Sequence, residues 1–253
     1  MEERNYRLQA VILHNRDFKE NDKLVSFFSS ERGKETALAK GARKPNSSLR
    51  GIAQPFCEVE IDFAKGRGSL DIITQGQMRN AYLHLHNDLD KIAYASYIAE
   101  LTDLALPEKK AAPAVFYLLL ATLTMIDLSD QLFLAARFFE LRLLTALGIS
   151  PLLNCCSGCG HSISASSFYL SPYRGGLLCS SCSVEQPRIS AGTVRLMQYL
   201  ATSDLKKVLN LKINDQMGQE MEKALEVYLN YYLEKVSQAK RFINQLEKGS
   251  LNY

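Results

Sequence analysis

The sequence predicts an α+β fold with a β-rich N-terminal domain, a helical domain, and a cysteine-rich segment inserted within the helices. Apolar and polar residues alternate with period two in the first part of the chain, and from residue 81 apolar residues recur every three or four positions. Two Cys-x-x-Cys pairs interrupt the helical pattern. We therefore predict domains at 1–80 and 81–253, with the inserted segment at 152–188.

Five short strands are predicted in the N-terminal domain. The alternation is clearest in the segments that begin at Tyr6 and Cys57, where every second residue is apolar. The other strands are predicted at 24–28, 36–40 and 70–74. Five strands in about seventy residues indicate a small closed or partly open barrel, and an OB-fold β-barrel is one such form.

A helical bundle is predicted for the remainder of the chain. Pro113 is placed to open one helix, and Ser129 can cap the next. The last helix keeps a four-three apolar spacing, which is typical of packing against a bundle and is also seen in helices that bind a partner. The predicted helices span 88–106, 113–128, 129–148, 190–200 and 215–248.

Four cysteines form the most specific pattern in the sequence. Cys156 and Cys159 make one Cys-x-x-Cys pair, and Cys179 and Cys182 make a second after nineteen intervening residues. Four thiolates at this spacing can converge tetrahedrally on one zinc ion and leave no coordination position for water. Because the segment has little apolar material for a core, bound metal would supply its folding energy. We predict one structural zinc ion.

Two neighbouring residues are alternative ligands. Cys155 would give a Cys-x-x-x-Cys spacing, and His161 lies two residues past the first pair. Cys156 is favoured over Cys155 because its spacing lets Gly158 and Gly160 form a tight turn.

Disulfides and four unrelated core cysteines are the other interpretations of the cysteine pattern. The charged N-terminus has no apolar signal region, so we expect a cytoplasmic chain in which disulfides are disfavoured.

Catalytic and membrane functions find no support in the sequence. The Gly33-Lys34 and Gly66-Arg67-Gly68 segments lack the further glycines of a phosphate-binding loop or a dinucleotide fingerprint. No histidine lies at a familiar spacing from a nucleophile. The longest apolar run, 114–126, is too short to cross a bilayer. We predict neither an enzyme nor a membrane protein.

Basic residues are concentrated in the first domain, where 14 Lys and Arg stand against 11 Asp and Glu. Small residues interleave with cations in the 40–50 segment, a composition that suits close approach to phosphates. A solvated loop is the alternative interpretation. The predicted DNA-binding residues are Arg16, Lys19, Arg32, Lys34, Lys40, Arg43, Lys44, Arg50 and Arg67.

Several short motifs occur in a fixed order over about residues 6 to 200. The N-terminal motifs are Asp17–Val25, Glu31–Gly33, Ala39–Lys44, Gln54–Phe56 and Gly66–Gly68. The later motifs are Tyr97–Leu101, Arg137–Leu144, Leu147–Leu152, Cys156–Gly160, Phe168, Gly175–Gly176 and Cys179–Cys182. In their order and spacing, more than in any one motif except the cysteine pattern, they resemble the RecO family of bacterial recombination mediators.

The resemblance implies a nucleoid-associated protein that acts without covalent catalysis. It would bind single- and double-stranded DNA, anneal complementary strands, and work with RecR to help RecA replace the single-stranded-DNA-binding protein SSB, with RecF as an indirect partner. The helical domain would hold the acidic C-terminal tail of SSB through Arg137, with Arg142 as a weaker candidate. An internal pair between Arg137 and Glu140 is the alternative.

Two rival functions remain open at the level of the sequence. One is a zinc-ribbon OB-fold adaptor that binds RNA or acts in transcription, which would show sequence selectivity or a preference for RNA. The other is a metal-dependent enzyme that uses Cys155 or His161 beside an incompletely coordinated ion. A closed four-thiolate site would exclude the second.

Overall fold

The computed structural model describes residues 5–66, 68–162, 167–233 and 237–249. It confirms a mixed α+β fold with an N-terminal sheet followed by helices. Packing divides the chain into two compact units, Met1–Leu128 with Ser237–Tyr253, and Ser129–Val236. The change from strands to helices at residue 80 therefore lies inside the first unit, and the domain boundaries drawn from the sequence stay a prediction.

The first unit is built on a five-stranded sheet. Its strands are β1 (Asn5–Phe18), β2 (Asp22–Ser29), β3 (Gly33–Ala39), β4 (Glu58–Ala64) and β5 (Asp71–Asn80). They pair in the order β1-β2-β3-β5-β4, and β4 pairs with β1, so the sheet closes on itself. Every pairing is antiparallel except the short one between β3 and β5. All five predicted strands are present, and β1 and β5 are longer than predicted.

Alternating apolar side chains fill the interior of this sheet, as period-two patterning requires. Val25, Phe27, Val59, Ile61 and Phe63 are all buried there. The strands of the first unit thus form because one face of each can be removed from water.

The chain contains nine helical segments within its described residues. They are α1 (Leu49–Ile52), α2 (Leu83–His86), α3 (Leu89–Ala105), α4 (Pro113–Leu128), α5 (Leu132–Ala146), α6 (Ala191–Thr202), α7 (Leu205–Val208), α8 (Asp215–Leu233) and α9 (Gln238–Gly249). Helix α3 begins where its cap is strong, because the Asp88 side chain accepts hydrogen bonds from the N–H groups of Asp90 and Lys91. Helix α3 packs against α4, α9 and β1 within the first unit.

The single helix predicted at 215–248 is wrong, because α8 ends at Leu233 and α9 begins at Gln238. The carboxylate of Glu100 accepts hydrogen bonds from the backbone N–H groups of Gln238 and Ala239, each at 2.9 Å. The Ser237 hydroxyl accepts one from Lys240 N–H at 3.0 Å. These acceptors satisfy the first turn of a separate helix. Helix α9 accordingly belongs to the first unit, whereas α8 belongs to the second.

The predicted cap of α5 is also wrong. Gln131 occupies the cap position and makes no side-chain cap. The Ser129 hydroxyl instead accepts a hydrogen bond from Gln131 N–H at 3.3 Å, before the helix begins. The apolar sequence of α5 predicted burial correctly, and this helix packs against α6 and α8.

A second, three-stranded sheet lies in the second unit. Its strands β6 (Ser167–Ser171), β7 (Gly176–Cys179) and β8 (Arg188–Ser190) pair in the order β7-β6-β8. Gly176 lets β7 approach the preceding segment, since a Cβ at this position would lie 2.7 Å from the Leu152 carbonyl oxygen. Within the described ranges, no helix is both long enough and apolar enough for a membrane span.

Candidate metal centre and nucleic-acid interface

The four predicted cysteines come together in the second unit. The Sγ atoms of Cys156, Cys159, Cys179 and Cys182 all lie within 4.8 Å of one another. Cys179 is the last residue of β7, so this strand brings the second Cys-x-x-Cys pair close to the first. Four sulfur donors at this separation suit a tetrahedral, thiophilic metal ion.

Backbone hydrogen bonds shape both turns. The N–H of Gly160 donates to the Cys156 carbonyl at 2.8 Å, and Gly160 has a positive φ of 75°, which glycine adopts without strain. In the second pair, the N–H of Cys182 donates to the Cys179 carbonyl at 3.0 Å. Gly158 allows the two turns to meet, because a Cβ there would lie 3.1 Å from both Cβ and Sγ of Cys182.

The Cys156 thiol is set up to ionise. Burial opposes its ionisation, but the backbone N–H groups of Cys179, Cys159 and Gly158 outweigh that effect and lower the pKa of Cys156 to about 6. The N–H groups of Gly158 and Cys179 each lie 3.4 Å from its sulfur. The thiolate is the form of cysteine that binds metal.

The two alternative ligands lie outside this cluster. Among the described residues, the group of possible metal ligands consists of the four predicted cysteines alone. Cys155 forms an isolated β-bridge with Ser162, and the carbonyl of His161 accepts a hydrogen bond from Cys156 N–H. Cys156 therefore occupies the position for which Cys155 was the alternative.

Part of the predicted DNA-binding set is brought together by two loops of the first unit. The turn after β1 and the loop after β3 are joined because Arg43 N–H donates to the Asn21 carbonyl at 3.0 Å and the Arg43 side chain donates to the Lys19 carbonyl at 3.2 Å. Lys19, Lys40, Arg43 and Lys44 are all exposed there. We call this group the basic loops.

Two more predicted cations are exposed on neighbouring elements. Arg16 lies near the end of β1, and Arg50 lies on α1, the short helix that follows the loop after β3. Arg67 falls outside the described residues.

Arg32 and Lys34 are placed differently. Arg32 forms an ion pair with Glu35 at 2.7 Å, and Lys34 forms one with Asp103 of α3 at 3.0 Å. Lys34 lies at the start of β3 and Lys40 follows its end, so about six residues of strand, roughly 20 Å, separate them. The structure does not bring Arg32 and Lys34 to the basic loops.

Acidic residues within the basic loops were missed by the sequence analysis. The Asp17 carboxylate lies 3.3 Å from Arg43 and 3.2 Å from Lys23, and Asp22 accepts a hydrogen bond from Gly41 N–H at 2.8 Å. The hairpin register, which pairs Asp17 with Lys23, was the available signal. These carboxylates fix the loops in place and offset part of their positive charge.

The two arginines predicted to hold the SSB tail make contacts within the second unit. Arg137 is 1% exposed, its Nη2 lies 2.8 Å from Glu140, and its Nη1 lies 3.8 Å from Glu222. This is the internal pair that the sequence offered as the alternative. Arg142 donates to the Ser203 carbonyl at 2.8 Å and lies over the Phe138 ring. A tail-binding role for either stays a prediction.

Comparisons with known proteins cover nearly the whole chain. The model of the recombination protein O N-terminal domain matches residues 1–82, and that of the C-terminal domain matches residues 86–241. A DNA repair protein RecO of Desulforamulus reducens is 35% identical over 249 residues, which are 97% of this chain and 96% of the relative. The RecO protein of Syntrophomonas wolfei is 36% identical, with 87% of this chain and 88% of the relative covered. That of Dehalococcoides mccartyi is 31% identical, with 98% of each chain covered. The chain belongs to the RecO family.

Proposed function

We propose that this chain is a non-enzymatic mediator of DNA repair and homologous recombination. It binds single- and double-stranded DNA, anneals complementary strands and, with RecR, helps load RecA onto single strands coated with SSB, with RecF acting indirectly. Its place of action is the bacterial cytoplasm, in association with the nucleoid. Family membership and the name of the relatives, DNA repair protein RecO, support this proposal.

The basic loops are the observation that carries the proposal for DNA. We propose that the five-stranded barrel is an OB-fold whose loops hold the nucleic-acid backbone. Within the basic loops Lys19, Lys40 and Lys44 are the strongest candidates, because all three are exposed and none forms an ion pair among the described residues. Contacts to phosphate carry no sequence information, so binding would tolerate any sequence.

The four-cysteine cluster has a structural role in this proposal. One zinc ion bound by Cys156, Cys159, Cys179 and Cys182 would be coordinatively saturated, with no open position for a substrate. It would tie the turn that precedes β6 to the turn that follows β7. The metal would thereby supply folding energy to a segment whose own apolar cluster consists of a few side chains.

The carboxylate tail of SSB remains the proposed partner of the helices in the second unit. Arg142 is the more accessible of the two predicted arginines, being half-buried. The buried guanidinium of Arg137 would have to be uncovered before it could meet a partner.

Annealing of SSB-coated oligonucleotides tests the function. We expect the wild-type protein to accelerate annealing of complementary strands coated with SSB from the same organism. The double variant K40E/K44E should lose most of this acceleration. A matched variant, K109E/K110E, changes the charge equally at two exposed lysines of the first unit and should retain it.

Salt dependence separates phosphate contacts from other effects. Loss of two contacts should reduce the slope of log affinity against log salt by about 1.4 for single strands. Equal slopes in wild type and K40E/K44E would place the DNA elsewhere. No acceleration by folded, zinc-loaded wild-type protein would refute the mediator function, and a strong preference for RNA would favour an RNA-binding adaptor.

A further inference from the structure

Two exposed tyrosines of the second unit lie on two elements that a third tyrosine connects. Tyr173 is 78% exposed in the turn between β6 and β7, and Tyr231 is 52% exposed near the end of α8. Tyr232 joins the two elements, because its hydroxyl donates to the Pro172 carbonyl at 3.0 Å while its ring lies 5.2 Å from that of Tyr231. We call Tyr173, Tyr231 and Tyr232 the tyrosine patch.

The turn itself does not need a tyrosine. The Arg174 N–H donates to the Ser171 hydroxyl at 3.2 Å, and the Gly175 N–H donates to the Pro172 carbonyl at 3.1 Å. Gly175 supplies the positive φ, 64°, that the turn requires. These two hydrogen bonds and the conformation of Gly175 define the loop without the Tyr173 side chain, which projects into solvent and contributes little to the folded core. A large aromatic side chain at such a position is unexplained by folding.

Two exposed cations lie on the elements that carry the patch, Arg174 in the turn and Lys223 on α8. The Arg174 guanidinium carbon lies 5.9 Å from the centre of the Tyr173 ring. On α8, Lys223 and Val227 precede Tyr231 at intervals of four residues, so these exposed side chains share one helix face. The patch thus combines exposed aromatic rings with cations that can reach a phosphate backbone.

We propose that the tyrosine patch binds single-stranded nucleic acid by stacking unpaired bases on Tyr173 and Tyr231, while Arg174 and Lys223 contact phosphates. Every base presents a π face, so aromatic rings beside cations hold single strands of any sequence. The hydrogen bond from Tyr232 fixes the turn before binding, which reduces the entropy lost on association. Bases in a duplex are already stacked and paired, so this site selects single strands.

The inference rests on the proposed DNA-binding function but places a second site on the second unit, independent of the basic loops. A chain with two such sites can hold two strands at once. That arrangement gives annealing a physical basis that one phosphate-binding surface does not provide.

A tryptophan reporter tests the stacking directly, because the chain contains no tryptophan. The indole of Tyr173→Trp should be quenched when the full-length protein binds a twenty-nucleotide oligothymidylate, and quenched far less by an abasic oligonucleotide of equal length. The matched variant Tyr117→Trp, at a tyrosine that is 60% exposed on α4, should not respond. Binding shown by anisotropy without quenching of Tyr173→Trp, or with equal quenching of both variants, would overturn the inference.

Affinity supplies an independent measure. Tyr173→Ala/Tyr231→Ala should bind the oligothymidylate at least about thirtyfold more weakly, with the salt slope close to that of wild type, because stacking releases no counterions. Tyr173→Phe/Tyr231→Phe should bind like wild type. Wild-type affinity in a folded alanine variant overturns the inference while leaving the function proposed above intact. If the wild-type protein binds no single strand, both fail.

Discussion

Replacing Arg137 by methionine distinguishes a structural arginine from a binding one. The Arg137 and Glu140 side chains are each 1% exposed, and their charged atoms lie 2.8 Å apart. Glu222, at 3.8 Å, is 19% exposed and can turn toward water, whereas Glu140 cannot. Arg137→Met keeps most of the side-chain volume but leaves the buried Glu140 carboxylate without this cation.

The expected cost follows from that burial. Removing one partner of a buried ion pair destabilises a protein by about 3–5 kcal/mol, because the other charge stays desolvated. Arg137→Met should therefore lower the free energy of unfolding by that amount in urea titrations of the zinc-loaded chain. The double variant R137M/E140L should recover much of the loss, since an apolar pair removes the uncompensated charge. Arg195→Met, at an exposed position of α6, should change stability by about 0.5 kcal/mol or less.

The opposite result is equally informative. The free energy of unfolding of Arg137→Met could instead lie within about 1 kcal/mol of that of wild type, a difference well below the cost of a broken buried pair. In that case the stability argument fails. If the same variant also loses binding to a peptide of the SSB tail, its guanidinium is held for a partner and the internal pair is incidental.

Two further predictions concern the second unit. Cys179→Ser should reduce bound zinc below one ion per chain and lower the melting temperature, whereas Cys155→Ser should change neither; unchanged zinc content in Cys179→Ser would rule out the four-thiol site. Burial opposes ionisation of Glu220, but hydrogen bonds from Thr193 and Ser190 outweigh the effect of burial and lower the pKa of Glu220. The stability that the ionised carboxylate contributes is therefore present above the ordinary carboxyl pKa and is lost as the pH falls through the lowered pKa. Glu220→Gln should thus be less stable than wild type at neutral pH and converge with it in acid, and a difference that stays constant down to about pH 3, below the ordinary glutamate pKa, would contradict this.

The elements that could be predicted from the sequence are those that local information determines. Period-two alternation located the strands that begin near Tyr6 and Cys57, the other three strands were found at the predicted short segments between and after them, and the cysteine spacing selected the four sulfurs that cluster. The predicted helix at 215–248 failed for a different reason. Its apolar spacing continues past Leu233, yet Leu225 and Leu229 are buried in the second unit while Ile243 is buried in the first. The hydrogen bonds that start α9 come from Glu100, which is remote in sequence and carries no local signal.

The same separation between local pattern and distant partner explains the basic residues. Lys34 and Lys40 are not distinguished by the residues around them in the sequence. Lys34 nevertheless forms an ion pair with Asp103, because α3 lies near the start of β3. Asp103 is remote in sequence, so the ion pair could not be predicted from the neighbours of Lys34. Arg43 likewise meets Asp17 across two loops. Arg43 is therefore paired within the basic loops, whereas Lys19, Lys40 and Lys44 are exposed and form no ion pair among the described residues. A positive stretch of sequence predicts a DNA-binding surface only after the fold has shown which of its charges are already neutralised.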